Sequence, residues 1–173
     1  RRRIAIPDRI RLRGTAGADK GAFSAASTLS TDGGEIAMQG RLDTRSEAYG
    51  NELRCDSFPL NSFLPADSLG LLDLALQAGG SGFDPLRAQT RGNIRLQVDR
   101  AEFRGRDFGG VKLNANLEGG QLSGRLSDRD EALRLLLLIS GTLTERKQEV
   151  RLTGNVFDFD LAELGISPQK IGG

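Results

Sequence analysis

An all-β fold, built as an antiparallel meander of about ten strands, follows from three features of this sequence. Apolar and polar residues alternate strictly, the links between alternating runs are short and rich in turn formers, and glycines recur in phase with the apolar positions. The clearest alternation sets Val111, Leu113, Ala115 and Leu117 against Lys112, Asn114, Asn116 and Glu118. A second sets Ile94, Leu96 and Val98 against Asn93, Arg95, Gln97 and Asp99. Successive side chains of an extended chain point to opposite faces, so each run has one apolar and one wet face. On a helix the same residues would scatter around the axis.

The pattern recurs almost end to end. The first third offers Ile10 and Leu12; Phe23, Ala25 and Leu29; Ile36, Met38 and Leu42; and Tyr49, Leu53 and Cys55. Leu72, Leu74, Leu76 and Ala78 follow, then the two runs above. Leu122 and Leu126; Leu133, Leu135, Leu137 and Ile139; and Val150, Leu152 and Val156 complete the set. Turn chemistry marks the links at Asp19-Lys20-Gly21, Asp32-Gly33-Gly34, Glu118-Gly119-Gly120 and Ser127-Asp128-Arg129-Asp130. None is long enough for a parallel crossover, so the sheet is expected to be antiparallel. Gly14, Gly40, Gly92, Gly124, Gly141 and Gly154 fall in phase with the apolar faces. Glycine inside a strand marks bulges and tight bends, so its repetition predicts a curved sheet.

Two segments break the alternation, Phe58-Pro59-Leu60-Asn61-Ser62-Phe63-Leu64 and Phe159-Asp160-Leu161-Ala162-Glu163-Leu164-Gly165-Ile166. Phe58 aligns with Phe159, Leu60 with Leu161 and Phe63 with Leu164. Each reads as a strand running into one short helical turn, with Asp160 as an N-cap in the second. Matching ends divide the chain into two diverged repeats, residues 1–65 closing one and 66–173 forming the next. Together they read as one continuous stretch of a longer array.

Composition excludes most chemistry. There is no histidine, which removes the commonest general base and metal ligand, and a single cysteine cannot build a zinc site. No nucleophile elbow or phosphate loop is present; Gly79-Gly80-Ser81-Gly82 reads as a turn. Asp128, Asp130 and Glu131 lack the further spacing of a calcium loop and read as a hairpin tip. An enzyme is therefore not expected, nor a cofactor or metal. The 24 basic and 23 acidic residues nearly cancel, and nine aromatics are too few for a base-stacking platform, so nucleic acid is not an expected partner. Arg1, Arg2, Arg3, Arg9, Arg11 and Arg13 could meet phosphate or lipid head groups, but read more simply as a solvated strand face. Cys55 reads as a small apolar residue on a buried face. The longest apolar run, Leu135 to Ile139, is strand-length, far short of the roughly 20 residues of a membrane span.

Ten amphipathic strands must cover or use one greasy face. A closed sandwich filled by its own core is one solution; an open, curved sheet whose apolar face lines a groove is the other. Alternation places the same residues inward in both. The inward set favours the open sheet, being mostly Leu, Ile, Val, Ala and Gly, with few of the large aromatics that fill sandwich centres.

The second half also resembles a known family. The stretch Gly80-Ser81-Gly82-Phe83-Asp84-Pro85, the strand Ile94-Arg95-Leu96-Gln97-Val98, and the link Ala101-Glu102-Phe103-Arg104-Gly105-Arg106-Asp107-Phe108 lead into the hairpin from Val111 to Asp128. This succession is similar to the TamB and AsmA-like proteins; residues before about 60 fit in pattern only. The resemblance implies a taco-shaped open sheet with a hydrophobic concave face. It implies the periplasm of a Gram-negative bacterium, with the full-length protein anchored in the inner membrane. It further implies phospholipid movement for outer-membrane biogenesis, and an Omp85-type outer-membrane partner docking through a region not present here.

The expected role is thus a non-enzymatic stretch of a periplasm-spanning groove that shields phospholipid acyl chains. Its expected lining is Leu72, Leu74, Leu76, Ile94, Leu96, Val98, Val111, Leu113, Leu117, Leu122, Leu126, Leu133, Leu135, Leu137, Ile139, Val150 and Leu152. Leu136 and Leu138 point to the face that should be wet. Two other roles stay open: a chaperone-like module that receives strands of outer-membrane proteins at its edge, and a self-filled sandwich in a surface array. Raw sheet edges would also permit an edge-to-edge dimer.

Overall fold

The computed structural model describes residues 9–63, 69–103, 105–129 and 133–159. The strands are β1 (Ile10–Asp19), β2 (Ala22–Thr31), β3 (Glu35–Asp43), β4 (Ala48–Pro59), β5 (Leu69–Ser81), β6 (Arg91–Phe103), β7 (Arg106–Phe108), β8 (Val111–Glu118), β9 (Gln121–Arg129), β10 (Leu133–Leu143) and β11 (Gln148–Phe159). They form a single antiparallel sheet in chain order, with the three-residue β7 hanging off β6. β1 and β11 are its two edges, so the sheet is open. All substantial contacts run between sheet neighbours, apart from that of one 3-10 turn, Leu60–Ser62, against β5. No second layer packs on either face among the described residues. Cys55 and Phe58 are the only buried apolar side chains there.

Local chemistry sets the register. Lys20 and Gly21 both take positive φ, 44° and 90°, as do Gly119 and Gly120 at 59° and 75°. These are the two-residue turns whose twist matches that of the flanking strands, and each pins its hairpin: Asp19 opposite Ala22, Glu118 opposite Gln121. β4 and β5, on either side of the expected repeat boundary, pair from Ala48–Ser81 to Pro59–Leu71. The sheet therefore crosses that boundary unbroken.

Bulges keep the apolar phase where simple alternation would lose it. Between Cys55 and Phe58 the register shifts, with Ser57 in the left-handed region at φ 47°. That conformation is unusual for a residue with a Cβ, and the Asp73 carboxylate accepts the Ser57 N–H there. The extra residue returns Phe58 to the same face as Cys55, opposite Leu72. Phe58 is 3% exposed and stacks on Phe63 with ring centroids 5.0 Å apart across the 3-10 turn. The helical turn expected at Phe58–Leu64 is present in this short form; the second, at 160–166, lies outside the described residues, as does the N-cap assigned to Asp160.

Three links differ from the sequence expectation. Gly79-Gly80-Ser81 is not a turn: β5 runs on through Ser81, paired on both sides, and only Gly82 leaves the strand, at φ 84°. Ser127-Asp128-Arg129 is not a turn: β9 runs on through Arg129, because Asp128 stays in phase with Leu126 and pairs with Leu135. Asp130 and Glu131 lie outside the described residues. The link from Phe103 to Phe108 is itself a small hairpin, with Gly105 at φ 75° and Phe108 folded back opposite Ala101.

Four of the in-phase glycines, Gly14, Gly124, Gly141 and Gly154, sit where neighbouring backbone closes over the apolar side. A Cβ at Gly141 or Gly154 would run into the carbonyl oxygen of Glu149 or Leu136, and one at Gly124 would stand 2.8 Å from the Asn114 oxygen. Such crowding on one side is that of a sheet coiled towards that face. Gly154→Ala should therefore cost about 1–3 kcal/mol, the usual penalty for forcing volume into an occupied site. A Cβ at Gly17 would meet nothing nearer than Ser24 Oγ at 3.4 Å, and Gly17→Ala should stay within about 0.5 kcal/mol of the parent. Urea unfolding followed by circular dichroism measures both.

Candidate functional site: a continuous apolar face

Register converts the alternation into rows that run across the strands. The central row is Gly14, Ser27, Met38, Leu53, Leu76, Leu96, Leu113, Leu126, Leu137 and Gly154, each paired with the next. From Met38 to Leu137 it is an unbroken ridge of large apolar side chains. On one side lie Leu12, Leu29, Ile36, Cys55, Leu74, Val98 and Val111, and farther along Asp128, Leu135 and Val156. On the other side the row is Ala16, Ala25, Gly40, Asn51, Ala78, Ile94, Ala115, Gly124, Ile139 and Leu152. Beyond it run Ala18, Phe23, Leu42, Tyr49, Gly80, Gly92, Leu117, Leu122, Gly141 and Val150.

All of the expected lining except Leu72 and Leu133 takes a place in these four rows. Leu76, Leu96, Leu113, Leu126 and Leu137 form the ridge. Leu74, Val98, Val111 and Leu135 lie beside it, and Ile94, Ile139 and Leu152 on its other flank. Leu117, Leu122 and Val150 stand in the outer row, and Leu72 faces Phe58 near the opposite margin. Leu133 opens β10, paired with Phe159. The register also adds Met38, Leu53, Ile36, Leu29, Leu42 and Tyr49, which the expected lining omitted. A two-residue turn fixes every pairing in its hairpin, and that signal was available at Lys20-Gly21.

The margins carry the aromatics. Tyr49 lies over glycines: a Cβ at Gly80 would stand 2.8 Å from its hydroxyl, and one at Gly92 3.4 Å. Phe83 meets Tyr49 with ring centroids 6.5 Å apart. At the opposite margin stand the stacked Phe58 and Phe63, with Phe108 nearby on β7.

Charge is confined almost entirely to the other face. Arg54–Asp56 at 3.0 Å, Arg91–Glu118 at 3.5 Å and Arg100–Asp107 at 2.9 Å are exposed pairs, of the kind that contribute little to stability. Along the apolar rows the one carboxylate is Asp128, 6% exposed. Among the described residues no cluster of metal-ligating side chains occurs. An open hollow of about 620 Å³ over β1–β5 is lined by Met38, Leu53 and Leu76 together with polar residues, among them Arg13, Thr28, Gln39, Glu52 and Gln77. The ridge across β6–β11 lies outside it and is an open surface.

Comparison with known proteins gives no relative: no family model, no curated protein and no solved structure matches this chain.

Cys55, 3% exposed between Ile36 and Leu74, reports on the integrity of this face. Burial pushes its thiol above the ordinary value, and the charges of Asp56 and Asp73 add to the effect. A raised folded-state pKa leaves stability intact below the unfolded thiol value of about 8.5 and removes it as pH rises through the folded value. The native thiol should therefore resist a thiol reagent at neutral pH and react on addition of urea. The urea midpoint should fall at alkaline pH, and the Cys55→Val protein should lack that thiol-dependent part of the fall.

Proposed function

We propose that this chain is a non-enzymatic stretch of an open apolar trough that shields phospholipid acyl chains on their way between two membranes. One observation carries the reading: a ridge of large apolar side chains runs from β3 to β10 across a one-layer sheet, and no protein layer covers it among the described residues. Apolar surface left in water costs about 25 cal/mol per Å², and each methylene laid against it recovers about 0.8 kcal/mol. Ten strands at about 4.8 Å spacing give a trough roughly 45 Å long, a useful fraction of an envelope crossing. Contacts of this kind are non-directional, so an acyl chain can be held without a head-group site and can slide along the ridge.

The resemblance of the second half to the TamB and AsmA-like proteins points the same way. On that reading the full-length protein is anchored in the inner membrane of a Gram-negative bacterium and spans the periplasm, with an Omp85-type partner at the outer membrane. No helix among the described residues is long and apolar enough to cross a membrane.

Leu96 and Arg95 make the test. Leu96 lies in the ridge between Leu76 and Leu113, whereas Arg95 is on the opposite face between Gln77 and Asn114. A photoreactive residue at position 96 of the intact protein in cells should yield phospholipid adducts, and one at position 95 should not. Leu113→Glu, which sets a charge in the ridge, should abolish the adducts at 96. Adducts to outer-membrane proteins would replace this reading with a chaperone role, and self-crosslinks alone would mean the face is a filled core.

A further inference from the structure

The wet face departs from its own chemistry at one place. Leu136 and Leu138 lie on it, the first half-buried and the second 52% exposed. Their strand, β10, is paired on both sides, so the place is set inside the sheet and not at an edge. Cations gather on one flank of the two leucines. Arg125 on β9 is directly opposite Leu138, and the same row continues through Asn114 to Arg95. Lys112 stands in the row of Leu136, next after Ser127. On the other flank β11 offers the neutral Thr153 and Asn155. The nearest carboxylates have partners of their own: Asp99 accepts the Gln97 amide at 2.6 Å, and Glu118 is held by Arg91 at 3.5 Å. Asp158 is in register with Arg134, two residues beyond Leu136. Arg95, Lys112 and Arg125 take part in none of the ion pairs among the described residues.

We propose that this patch docks an amphipathic helix of a partner protein, laid along β10 with its apolar stripe on Leu136 and Leu138 and an acidic flank towards β9 and β8. The spacing fits. Two residues apart on a strand is about 6.8 Å, and helix positions i and i+4 are about 6 Å apart along the axis. A helix about 10 Å across, centred on β10, covers that strand and leaves Arg125 and Lys112 at its side. Carboxylates on that side meet cations that the sheet leaves without counter-charge, and charge of this kind selects a partner and its orientation. Thr153 and Asn155 call for no charge on the opposite side. A bilayer surface fits less well. Leucines inside a sheet stand no higher than the arginine and lysine side chains beside them, so they cannot enter hydrocarbon ahead of those charges. The inference concerns the face opposite the trough and does not depend on what the trough carries.

The intact protein in cells tests it, with a photoreactive residue at position 138. Adducts to another protein are expected, and mass spectrometry should place them in a helical segment with apolar residues at i and i+4 and Asp or Glu along one side. Arg125→Glu with Lys112→Glu should reduce these adducts about tenfold or more. Arg41→Glu, on the same face but opposite Gly50 on β4, should leave them unchanged. Should the double variant lose its strands by circular dichroism, binding to the unaltered whole chain decides. A synthetic 18-residue helical peptide with leucines at i and i+4 and glutamates on one side should bind, and more weakly as salt is raised. The same peptide with lysines for glutamates should not. Lipid adducts at 138, adducts to residues 160–173 of the same chain, no adduct, or adducts indifferent to the charge reversals would each overturn the proposal. Adducts at position 96 report on the other face, so the trough stands or falls separately.

Discussion

A sheet with no second layer among its described residues is held by its own hydrogen-bond ladder, and everything else described in this chain depends on that ladder keeping one register. Because side chains alternate with a period of two, a slip of one residue on any strand would turn its apolar set to the wet face. The chain guards against this with turns and bulges. Lys20-Gly21 and Gly119-Gly120 fix two hairpins outright. Where β4 needs an extra residue to keep Phe58 in phase, a strained Ser57 is accepted, and the Asp73 carboxylate across the strand pair stabilises it. Local strain here maintains a row that crosses the whole sheet.

The same one-layer construction limits what the apolar residues contribute to folding. A leucine in the ridge touches its neighbours along the row, with no second layer above it among the described residues, and it is half-buried. The hydrophobic driving force is therefore only partly used within the chain. Close packing survives at Cys55 and Phe58, where a bulge, a 3-10 turn and a stacked ring close one margin. Elsewhere the glycines let the sheet coil, which brings apolar side chains closer without supplying a second layer.

Much of this was legible in the sequence, and the exceptions have physical causes. Strands β6 and β8 could be read residue by residue, since polar and apolar positions alternate without a break. The first half was harder, because Ala, Gly and Ser dilute the contrast; Met38 and Leu53 join the ridge by register, which follows from hairpin turns more than from composition. Ser127-Asp128-Arg129 carries turn-forming residues, yet pairing with β10 overrides that preference and buries Asp128. The Ser57 bulge depends on a carboxylate sixteen residues away, beyond the reach of any local pattern. Whether the apolar face is covered or open is likewise a matter of layers, and alternation is the same in both.

The placement of the aromatics adds a last constraint on how such a face can work. The ridge and its two flanking rows contain none, while Phe23 and Tyr49 occupy one margin and Phe58 and Phe108 the other. Aliphatic side chains offer many weak contacts with no preferred orientation, so a floor made of them has no point that grips harder than the next. Rigid rings prefer defined geometries, and Tyr49 needs glycines beneath it to lie flat. Rings along the floor would break it into discrete pockets; at the margins they leave it uniform. For the proposed trough, that uniformity is what lets an acyl chain be sheltered at every position and trapped at none.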